Sequence, residues 1–377
     1  MAPVNGRRHY LDHASTSPCR PEALEAMVGW LGPTGDPGRV HTEGQAARVA
    51  VEVAREQVAA LVGARPREVV FTSGGTEAAV TATWMATERG DHVVVPAGEH
   101  SCVVASSARH RVSTVGIDRW GRVDPAAMLA ALRPGTALVH LQWGNHEVGT
   151  LQPVAEVVAA CRERGVLTHV DAAAAAGHVP IDFRALGADL MSISAHKLGG
   201  PPGAGALLVR RGLRLRPLLV GGDQERARRG GYENVPALAG FGAAAHHLAG
   251  CALAGEGQRA QAQTERIVAS VADGELGPGI RVLGDPGQRL PHILCLSLAG
   301  VEAEPVLLGL DQAGVAVHSG SSCASESLEP SPVLEAMGVD ASRSLRVSVG
   351  WSTTDADIDA FLAALPLILD RLLDLRS

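Results

Sequence analysis

The chain has 377 residues, of which 46% are hydrophobic and 19% charged, and its formal net charge is −7. This length exceeds one small core and predicts two domains, or one large domain with a smaller attachment. The sequence has no Lys/Arg block, no N-terminal run of secretory length and no stretch of about 20 uninterrupted apolar residues. These absences argue against nucleic-acid binding, export and membrane insertion, and we expect a cytoplasmic protein.

Strand-like and helix-like segments alternate between residues 45 and 210. The first is a helical pattern over residues 43–64. Five of its apolar residues are expected core contacts: Val49, Val53, Ala54, Leu61 and Val62. Six apolar strand candidates follow at residues 69–71, 92–96, 137–141, 167–170, 190–193 and 204–209. Helical segments separate most of them, which is typical of a mainly parallel sheet covered on both faces.

The pattern changes after residue 212. A Gly- and Arg-rich segment at 221–231 precedes an Ala-rich helix predicted for residues 236–248. From residue 284 onward, strand patterns at 293–298 and 344–349 mix with helical patterns at 301–313, 331–337 and 355–375. This part of the sequence predicts a separate α+β unit.

Three polar motifs follow predicted strands. Residues 72–77 lie between a strand and a helix, which suits either an anion site or a plain capped turn. Asp171 ends the strand 167–170 and suits either a partner for a protonated ring nitrogen or a helix cap. Lys197 follows the next strand beside Ser194 and His196, and is either a Schiff-base lysine or a solvated side chain. Their joint occurrence in this order favours a pyridoxal-phosphate site.

The six cysteines are scattered and form no CxxC pair, so neither a disulfide framework nor a zinc site is indicated. Five of them are interpreted as ordinary small apolar residues: Cys19, Cys102, Cys161, Cys251 and Cys295. Cys323 differs, because residues 319–325 around it are small and polar. Such a segment is expected of a loop that carries a reactive thiolate to a substrate.

Taken together, these motifs resemble those of cysteine desulfurases of the NifS/IscS type, in the class V aminotransferase family of fold-type I pyridoxal-phosphate enzymes. The matching segments span nearly the whole chain: residues 10–14, 71–77, 99–100, 147–149, 169–171, 194–197, 224–226, 319–330 and 344–348. The resemblance implies an α/β fold with a mainly parallel, seven-stranded sheet in a large cofactor domain, residues 16–253. It also implies a small α+β domain, residues 254–377, on which residues 1–15 pack, and a homodimer.

The resemblance also implies a role for each matching residue. Lys197 matches the Schiff-base lysine, His100 an acid/base imidazole over the pyridine ring, and Cys323 the nucleophile. The other implied cofactor contacts are Asp171, Gly75, Thr76, His146, Ser194, His196 and Tyr232. Arg346 and Asn145 are expected to bind the substrate, L-cysteine. The implied reaction yields L-alanine and a persulfide on Cys323, which passes to a sulfur-acceptor protein of unknown identity.

Four positions depart from the family pattern. His146 stands where an Asn is usual, Ala174 where a Gln is usual, Tyr232 where a Thr reaches the partner subunit's phosphate, and Val80 where an Asn is frequent. Either His146 fills the space left by Ala174 and bonds the cofactor's phenolic oxygen, or these changes loosen the cofactor. The Tyr232 phenol is expected to reach a phosphate across a dimer interface.

Two functions other than cysteine desulfuration are compatible with this sequence. A selenocysteine lyase or carbon–sulfur lyase on the same frame would not need Cys323, and a non-catalytic scaffold that binds sulfur carriers would not need Lys197. The chain ends at Ser377 without the extension that Isc-type relatives use to dock an iron–sulfur scaffold, so that particular partner is left open. Iron–sulfur assembly, tRNA thiolation and sulfur insertion into thio-cofactors or metabolites remain open as destinations of the sulfur.

Overall fold

The computed structural model describes residues 8–86, 88–319 and 330–374. The strands in these ranges are β1 (His9–Tyr10), β2 (Val69–Thr72), β3 (His92–Pro96), β4 (Arg111–Val115), β5 (Thr136–Gln142), β6 (Leu167–Asp171), β7 (Leu190–Ser194), β8 (Gly205–Val209), β9 (Arg281–Leu283), β10 (Ile293–Ser297), β11 (Val315–Ala316), β12 (His318–Ser319) and β13 (Ser344–Ser348). The helices are α1 (Pro21–Gly29), α2 (Thr42–Leu61), α3 (Gly75–Ala86), α4 (Ser101–Ser107), α5 (Pro125–Ala130), α6 (Val154–Glu163), α7 (Phe183–Leu186), α8 (Gln224–Ala227), α9 (Val235–His247), α10 (Leu253–Ala272), α11 (Ala303–Gln312), α12 (Pro332–Ala336) and α13 (Asp355–Asp374).

The larger sheet has seven strands in the order β2-β8-β7-β6-β5-β3-β4. Only β8 runs antiparallel to its neighbours, β7 and β2. Strands such as β3 and β8 are buried along their whole length, because helices cover both faces of the sheet. The prediction of a mainly parallel seven-stranded sheet is confirmed.

The second sheet has four antiparallel strands in the order β12-β13-β10-β9. Its apolar face packs against α10, α11 and α13 in a separate hydrophobic cluster that includes Ile267, Leu310 and Phe361. The N-terminal strand β1 pairs in parallel with β11, and Leu11 joins the same cluster. These contacts support the packing of the N-terminal residues on the small domain, and the boundary at residues 253/254 stays a prediction.

Helix α2 is present as expected, but its buried face was assigned partly wrongly. Ala54 and Leu61 are buried, whereas Val49 is 62% exposed and Val53 is 45% exposed. The helix instead buries Val51 and Val58 on the face that contacts the sheet and α9. Val49 and Val53 therefore lie on the outer face, where nothing in the described part of this chain covers them fully.

Helix α10 and strand β4 were not predicted. Strand β4 is mostly exposed at the sheet edge, and α10 exposes most of its polar residues, so neither gives a strong apolar pattern.

In the described residues no single helix is both long and apolar enough to cross a membrane. Only a pair bent by 82°, Val235–Gly250 with Leu253–Ala272, reaches the required length and composition jointly.

A buried ion pair fixes the segment that follows the large sheet. Arg55 of α2 donates two hydrogen bonds of 2.7 Å to the carboxylate of Glu225, which also accepts from the backbone N–H of Phe71. The side chains of Arg55 and Glu225 are 3% and 1% exposed. Glu225 has a left-handed φ of 50°, a strained conformation for a residue with a Cβ. The ion pair therefore holds a strained turn against the edge strand β2.

Replacing Glu225 with Ala removes the buried carboxylate partner of Arg55 and leaves it only the more exposed Glu52 carboxylate at 3.2 Å. We expect the free energy of unfolding to fall by about 3–5 kcal/mol, as for other buried pairs that lose one partner. Urea unfolding followed by circular dichroism measures this change. The matched control is Glu163→Ala, which removes an exposed carboxylate 4.0 Å from Arg164; it should change the stability by less than about 1 kcal/mol. Equal effects of the two substitutions would contradict the importance of the buried pair.

Candidate active site

The carboxyl ends of the parallel strands meet at one edge of the large sheet. Gln142 and Asp171 are the last residues of the neighbouring strands β5 and β6, and they lie opposite each other in the register. Ser194 ends β7, and α3 begins three residues after β2. An open α/β sheet binds ligands at this edge, because successive loops turn away there and leave a crevice.

A cavity of about 520 Å³ opens at this edge. Its walls come from the ends of the large-sheet strands, from the N-terminal segment and from the small sheet. The lining residues are Asp12, Ala14, Ser15, Gly75, Thr76, His100, Cys102, Gln142, Gly144, His146, Asp171, Ala173, Ala174, Ser194, His196, Lys197, His318 and Arg346. Nine of the predicted site residues therefore share one cavity.

One end of the cavity is suited to a phosphate group. Gly75 and Thr76 form the first turn of α3, whose backbone N–H groups have no partner within the helix. A Cβ at Gly75 would lie 3.6 Å from the Cβ atoms of both Ala173 and Ser194, so it would fill the space between these walls. The Ser194 hydroxyl lies 3.0 Å from Nδ1 of His196. Burial and the nearby charge of Lys197 lower the pKa of His196 to about 4.

Asp171 has one carboxylate oxygen engaged by the protein. Its Oδ1 accepts hydrogen bonds from the Ser192 hydroxyl at 2.8 Å and from the backbone N–H of Ala173 at 3.0 Å. These bonds fix the orientation of the carboxylate in the cavity wall. They leave Oδ2 to accept a hydrogen bond from the N–H of a protonated ring nitrogen.

Lys197 ends a short 3₁₀ turn, Ala195–Lys197, directly after β7. Its ammonium donates to the backbone carbonyl of Ala14, which brings the N-terminal segment to the cavity. Its own carbonyl accepts from Nε2 of His178 at 3.1 Å. Lys197 is also the single lysine of the chain, although the chain has 33 Lys and Arg residues in all. The side chain able to form an imine is thus found only in this cavity.

Two imidazoles form another part of the wall. His100 precedes α4, and its Nδ1 accepts the backbone N–H of Cys102 at 3.1 Å, so the ring is held at the helix start. The His146 ring lies 5.1 Å from that of His100, centroid to centroid. Nε2 of His146 lies 3.5 Å from a carboxylate oxygen of Glu147. Ala174 lines the same cavity, which is consistent with the hypothesis that His146 compensates for its small side chain.

Arg346 projects from β13 of the small sheet, and its side chain is 1% exposed. The guanidinium donates to Asp12 Oδ1 at 3.0 Å, to the Ser15 hydroxyl at 2.7 Å and to the His146 carbonyl at 2.9 Å. Among the described residues, nothing accepts from its Nε. A buried donor without an acceptor is costly, and this Nε lies beneath the cavity surface, out of reach of solvent.

Glu99 lies just behind the wall, 4% exposed. One of its oxygens accepts the backbone N–H of Gln142, and the other has no partner within the described ranges. Burial, reinforced by the charge of Asp171, raises the pKa of Glu99 to about 8. Glu99 is therefore mainly neutral at pH 7, which limits the negative charge around Asp171.

Two predicted residues of the described ranges, Asn145 and Tyr232, do not line the cavity. Asn145 is fully buried, and its amide binds the Gly98 carbonyl and the backbone N–H groups of Glu147 and Val148. The expectation that Asn145 binds substrate is not supported, because this side chain holds the turn after β5. Tyr232 is 61% exposed and donates to the Gly35 carbonyl at 2.7 Å. Cys323 lies outside the described residues.

The sequence reasoning also missed several cavity residues: Asp12, Ser15, Cys102, Gln142 and His318. Gln142 had a usable signal, since it ends β5 as Asp171 ends β6. Cys102 packs against a hydrophobic cluster, as expected of a small apolar residue, and it also lines the cavity wall. Cys161 and Cys295 are buried, as expected of small apolar residues.

The donor set fits pyridoxal phosphate. The α3 N-terminus with Ser194 and His196 suits its phosphate, Asp171 suits its protonated ring nitrogen, and Lys197 suits its aldehyde. The space between Gly75, Ala173 and Ser194 and the engaged Oδ1 of Asp171 are structural observations that do not depend on the resemblance.

Comparisons with known proteins agree with this fit. The family model for class V aminotransferases matches residues 9–361. A cysteine desulfurase of Trichormus azollae is 39% identical, over 96% of this chain and 93% of the relative. The solved structure of a NifS-like protein from Rickettsia africae superposes with a TM-score of 0.89 at 28% identity, covering 97% of this chain and 100% of that chain. Another solved structure, SspA in complex with cysteine, gives a TM-score of 0.78 at 28% identity, covering 91% and 99%.

The raised pKa of Glu99 makes a testable contribution to stability. Between the ordinary value of 4.5 and about 8, the unfolded chain loses the Glu99 proton while the folded chain keeps it. The stability of the wild type should therefore fall with rising pH relative to Glu99→Gln, by roughly 1.4 kcal/mol for each pH unit. Urea unfolding of both proteins across this window measures the difference.

In this comparison, Glu304→Gln reports the effect of removing one exposed carboxylate from the same chain. A stability difference between wild type and Glu99→Gln that stays constant from pH 4.5 to 8 would contradict the assignment of Glu99 as a neutral group.

Proposed function

The chain belongs to the class V aminotransferase family and is a pyridoxal-phosphate-dependent cysteine desulfurase, and we propose that Lys197, Arg346 and Cys323 carry its reaction. The substrate is L-cysteine, the carbon product is L-alanine, and the sulfur leaves as a persulfide. The observation that carries this proposal is the meeting of the Lys197 amine, the Arg346 guanidinium and the Asp171 carboxylate in a single cavity.

Substrate binding is proposed to depend on Arg346. Asp12, Ser15 and the His146 carbonyl hold the guanidinium at the cavity wall, where it would meet the carboxylate of an amino acid. A planar guanidinium binds a carboxylate through two parallel hydrogen bonds, which fixes the orientation of Cα as well as its position.

Lys197 is proposed to hold the cofactor covalently and then to move the Cα proton. When bound, pyridoxal phosphate supplies an electron-withdrawing ring that stabilises the negative charge left on Cα. Asp171 keeps the ring nitrogen protonated, because its carboxylate is fixed by Ser192 and Ala173. The Lys197 amine lies in the same cavity and would be the base that takes the proton from Cα.

His100 and His146 are proposed to face the cofactor ring and its phenolic oxygen. Because Nδ1 of His100 accepts a backbone hydrogen bond, its proton lies on Nε2 when the ring is neutral. His146 is anchored through its backbone carbonyl to the Arg346 guanidinium, and it lines the same cavity as Ala174. This arrangement supports compensation for Ala174 over a loosened cofactor.

Cys323 is proposed to attack the sulfur of the bound cysteine and to carry the resulting persulfide to an acceptor protein. The proposal rests on the sequence of residues 319–325, which lie mostly outside the described ranges. Iron–sulfur assembly or synthesis of a thio-cofactor would use a persulfide of this kind. We further propose that the enzyme acts in the cytoplasm, which fits the composition.

A homodimer is proposed from the exposed apolar residues around α2. Val40 is 88% exposed and Val220 is 80% exposed, and the outer residues Val49 and Val53 of α2 are 62% and 45% exposed. The segment 219–232 contacts α2 through an ion pair of 2.9 Å between Arg226 and Glu52. An exposed apolar surface of this kind is typical of a protein–protein interface. It is the surface on which Tyr232 would reach a partner subunit.

The reaction is tested by measuring alanine and sulfide formed from L-cysteine by the cofactor-loaded enzyme. Wild type should release alanine repeatedly in the presence of a thiol acceptor, and Lys197→Ala should lose this activity. Because Lys197 is the single lysine, borohydride reduction should attach the cofactor to Lys197 and to no other side chain. Multiple turnovers by Cys323→Ser that survive removal of every other cavity thiol would instead indicate a lyase.

The dimer is tested by introducing charge into its proposed surface. Val49→Asp with Val53→Asp should shift the protein from dimer to monomer in analytical ultracentrifugation, because each substitution buries a carboxylate in an apolar interface. Leu308→Asp is the matched control, since Leu308 is 60% exposed on α11, far from α2 in the chain. A wild-type monomer, or a dimer unaffected by the double substitution, would contradict this interface.

A further inference from the structure

His318 is a histidine of the small sheet that lines the active-site cavity. It begins β12 and lies directly opposite Arg346 of β13 in the antiparallel register. Side chains at directly opposed positions project from the same face of a sheet, with their Cβ atoms about 4.5–5.5 Å apart. His318 is therefore the immediate neighbour of the guanidinium at which the substrate carboxylate is proposed to bind.

A hydrogen bond to the backbone fixes the tautomer of the His318 ring. Nδ1 lies 2.8 Å from the carbonyl oxygen of Ser319, and because a carbonyl only accepts, Nδ1 carries the ring proton and donates it. In the neutral ring Nε2 then bears the lone pair. Nε2 forms no hydrogen bond with another described residue, and the side chain is partly exposed where it lines the cavity. His318 thus presents a proton acceptor to a bound molecule.

The other imidazoles of the cavity wall are engaged differently. Nδ1 of His100 accepts a backbone N–H, so Nε2 of its neutral ring carries the proton. Nε2 of His146 lies 3.5 Å from a neighbouring carboxylate oxygen. His196 lies at the end of the cavity suited to phosphate, and burial lowers its pKa to about 4. Among the described residues, His318 therefore combines an unengaged lone pair with a position beside Arg346.

A bound cysteine would bring its thiol to the same part of the cavity. Only Cα and Cβ separate the carboxylate from Sγ, so a carboxylate held at Arg346 keeps the sulfur within a short distance of the guanidinium and of its neighbour His318. The sulfur leaves as a persulfide, and Cβ must gain one hydrogen to become the methyl group of alanine. A base beside Arg346 can move the Sγ proton for this purpose.

We propose that His318 is a further catalytic residue, the base that takes the Sγ proton of bound L-cysteine at its Nε2 and returns it to Cβ. This inference rests on the proposed desulfurase function. As the Cys323 thiolate forms a bond to Sγ, the Cβ–Sγ bond breaks with its electron pair left on carbon, and the Sγ proton moves to Nε2. The imidazolium then gives that proton to Cβ. The products are alanine and a persulfide anion on Cys323, so charge is conserved and no oxidant or reductant is required.

The test compares L-cysteine with L-selenocysteine as substrates of the cofactor-loaded enzyme. A selenol ionises at lower pH than a thiol, so at neutral pH selenocysteine has no proton for a base to remove from its side chain. We expect His318→Ala to lower kcat for alanine formation from cysteine about 10²-fold or more, with little change in KM. The loss with selenocysteine should be at least about tenfold smaller. His318→Gln, which keeps a polar side chain but no base, should behave in the same way.

Two controls separate this role from a disturbance of the cavity. His246→Ala removes an exposed histidine of α9 and should leave both reactions unchanged. L-Alanine has no thiol, so the exchange of its Cα hydrogen in D₂O, followed by proton NMR, should be equally fast in wild type and His318→Ala.

Equal losses with the two substrates, a slowed Cα exchange or an unchanged turnover of cysteine would each overturn the inference. In all three cases wild type still forms alanine from cysteine, so the desulfurase function stands. If wild type forms no alanine, the proposed function fails, and the inference fails with it.

A cofactor-free measurement tests the position of the lone pair separately. Diethylpyrocarbonate reacts with an unprotonated imidazole nitrogen that the reagent can reach. In the apoprotein at neutral pH, peptide mass spectrometry should find His318 modified faster than His140 and His292, which are 0% and 1% exposed. If His318 reacts no faster than these two residues, its Nε2 is not presented to the cavity and the inference is wrong.

Discussion

The Arg346 guanidinium is the group on which the geometry of the site depends. It projects from the small sheet, yet its hydrogen bonds go to Asp12 and Ser15 in the N-terminal segment and to the His146 carbonyl beside the large sheet. A buried guanidinium without these partners would cost several kcal/mol, so the three parts of the chain must meet around it. The cavity is therefore formed by the docking of the two sheets and not by either sheet alone.

Burial neutralises several titratable groups near the Arg346 guanidinium. Burial lowers the pKa of His178 to about 4 and that of His13 to about 3, and it raises the pKa of Glu99 to about 8. These three groups are uncharged near neutral pH. The electrostatic field in the cavity then comes mainly from Lys197, Arg346 and the nearby carboxylates, and charges act strongly on one another where water is largely excluded. This environment suits the binding of an anionic cofactor and a zwitterionic substrate.

The sequence was sufficient for the parts of the fold and site that depend on local pattern. Buried strands read as apolar runs, and a polar residue at a strand end predicted Asp171 and Lys197 at one edge. The buried face of a helix was harder to predict. Val49 and Val53 were assigned to the core because the outer face of α2 is also apolar, as a surface proposed to meet another subunit would be. Asn145 could not be judged from its type, because an amide serves a turn as well as a substrate.

The basic residues of the chain carry one further argument about Lys197. Of 33 Lys and Arg residues, one is lysine and therefore 32 are arginine. An arginine supplies positive charge, ion pairs and carboxylate binding, and it stays protonated under all physiological conditions. It cannot lose a proton to become a nucleophilic amine, so arginine replaces lysine wherever charge alone is needed but not where an imine must form. The position that holds the single lysine is the position at the end of β7, inside the cavity and beside the anion-binding turn. The composition and the geometry thus support the same role for Lys197 on independent physical grounds.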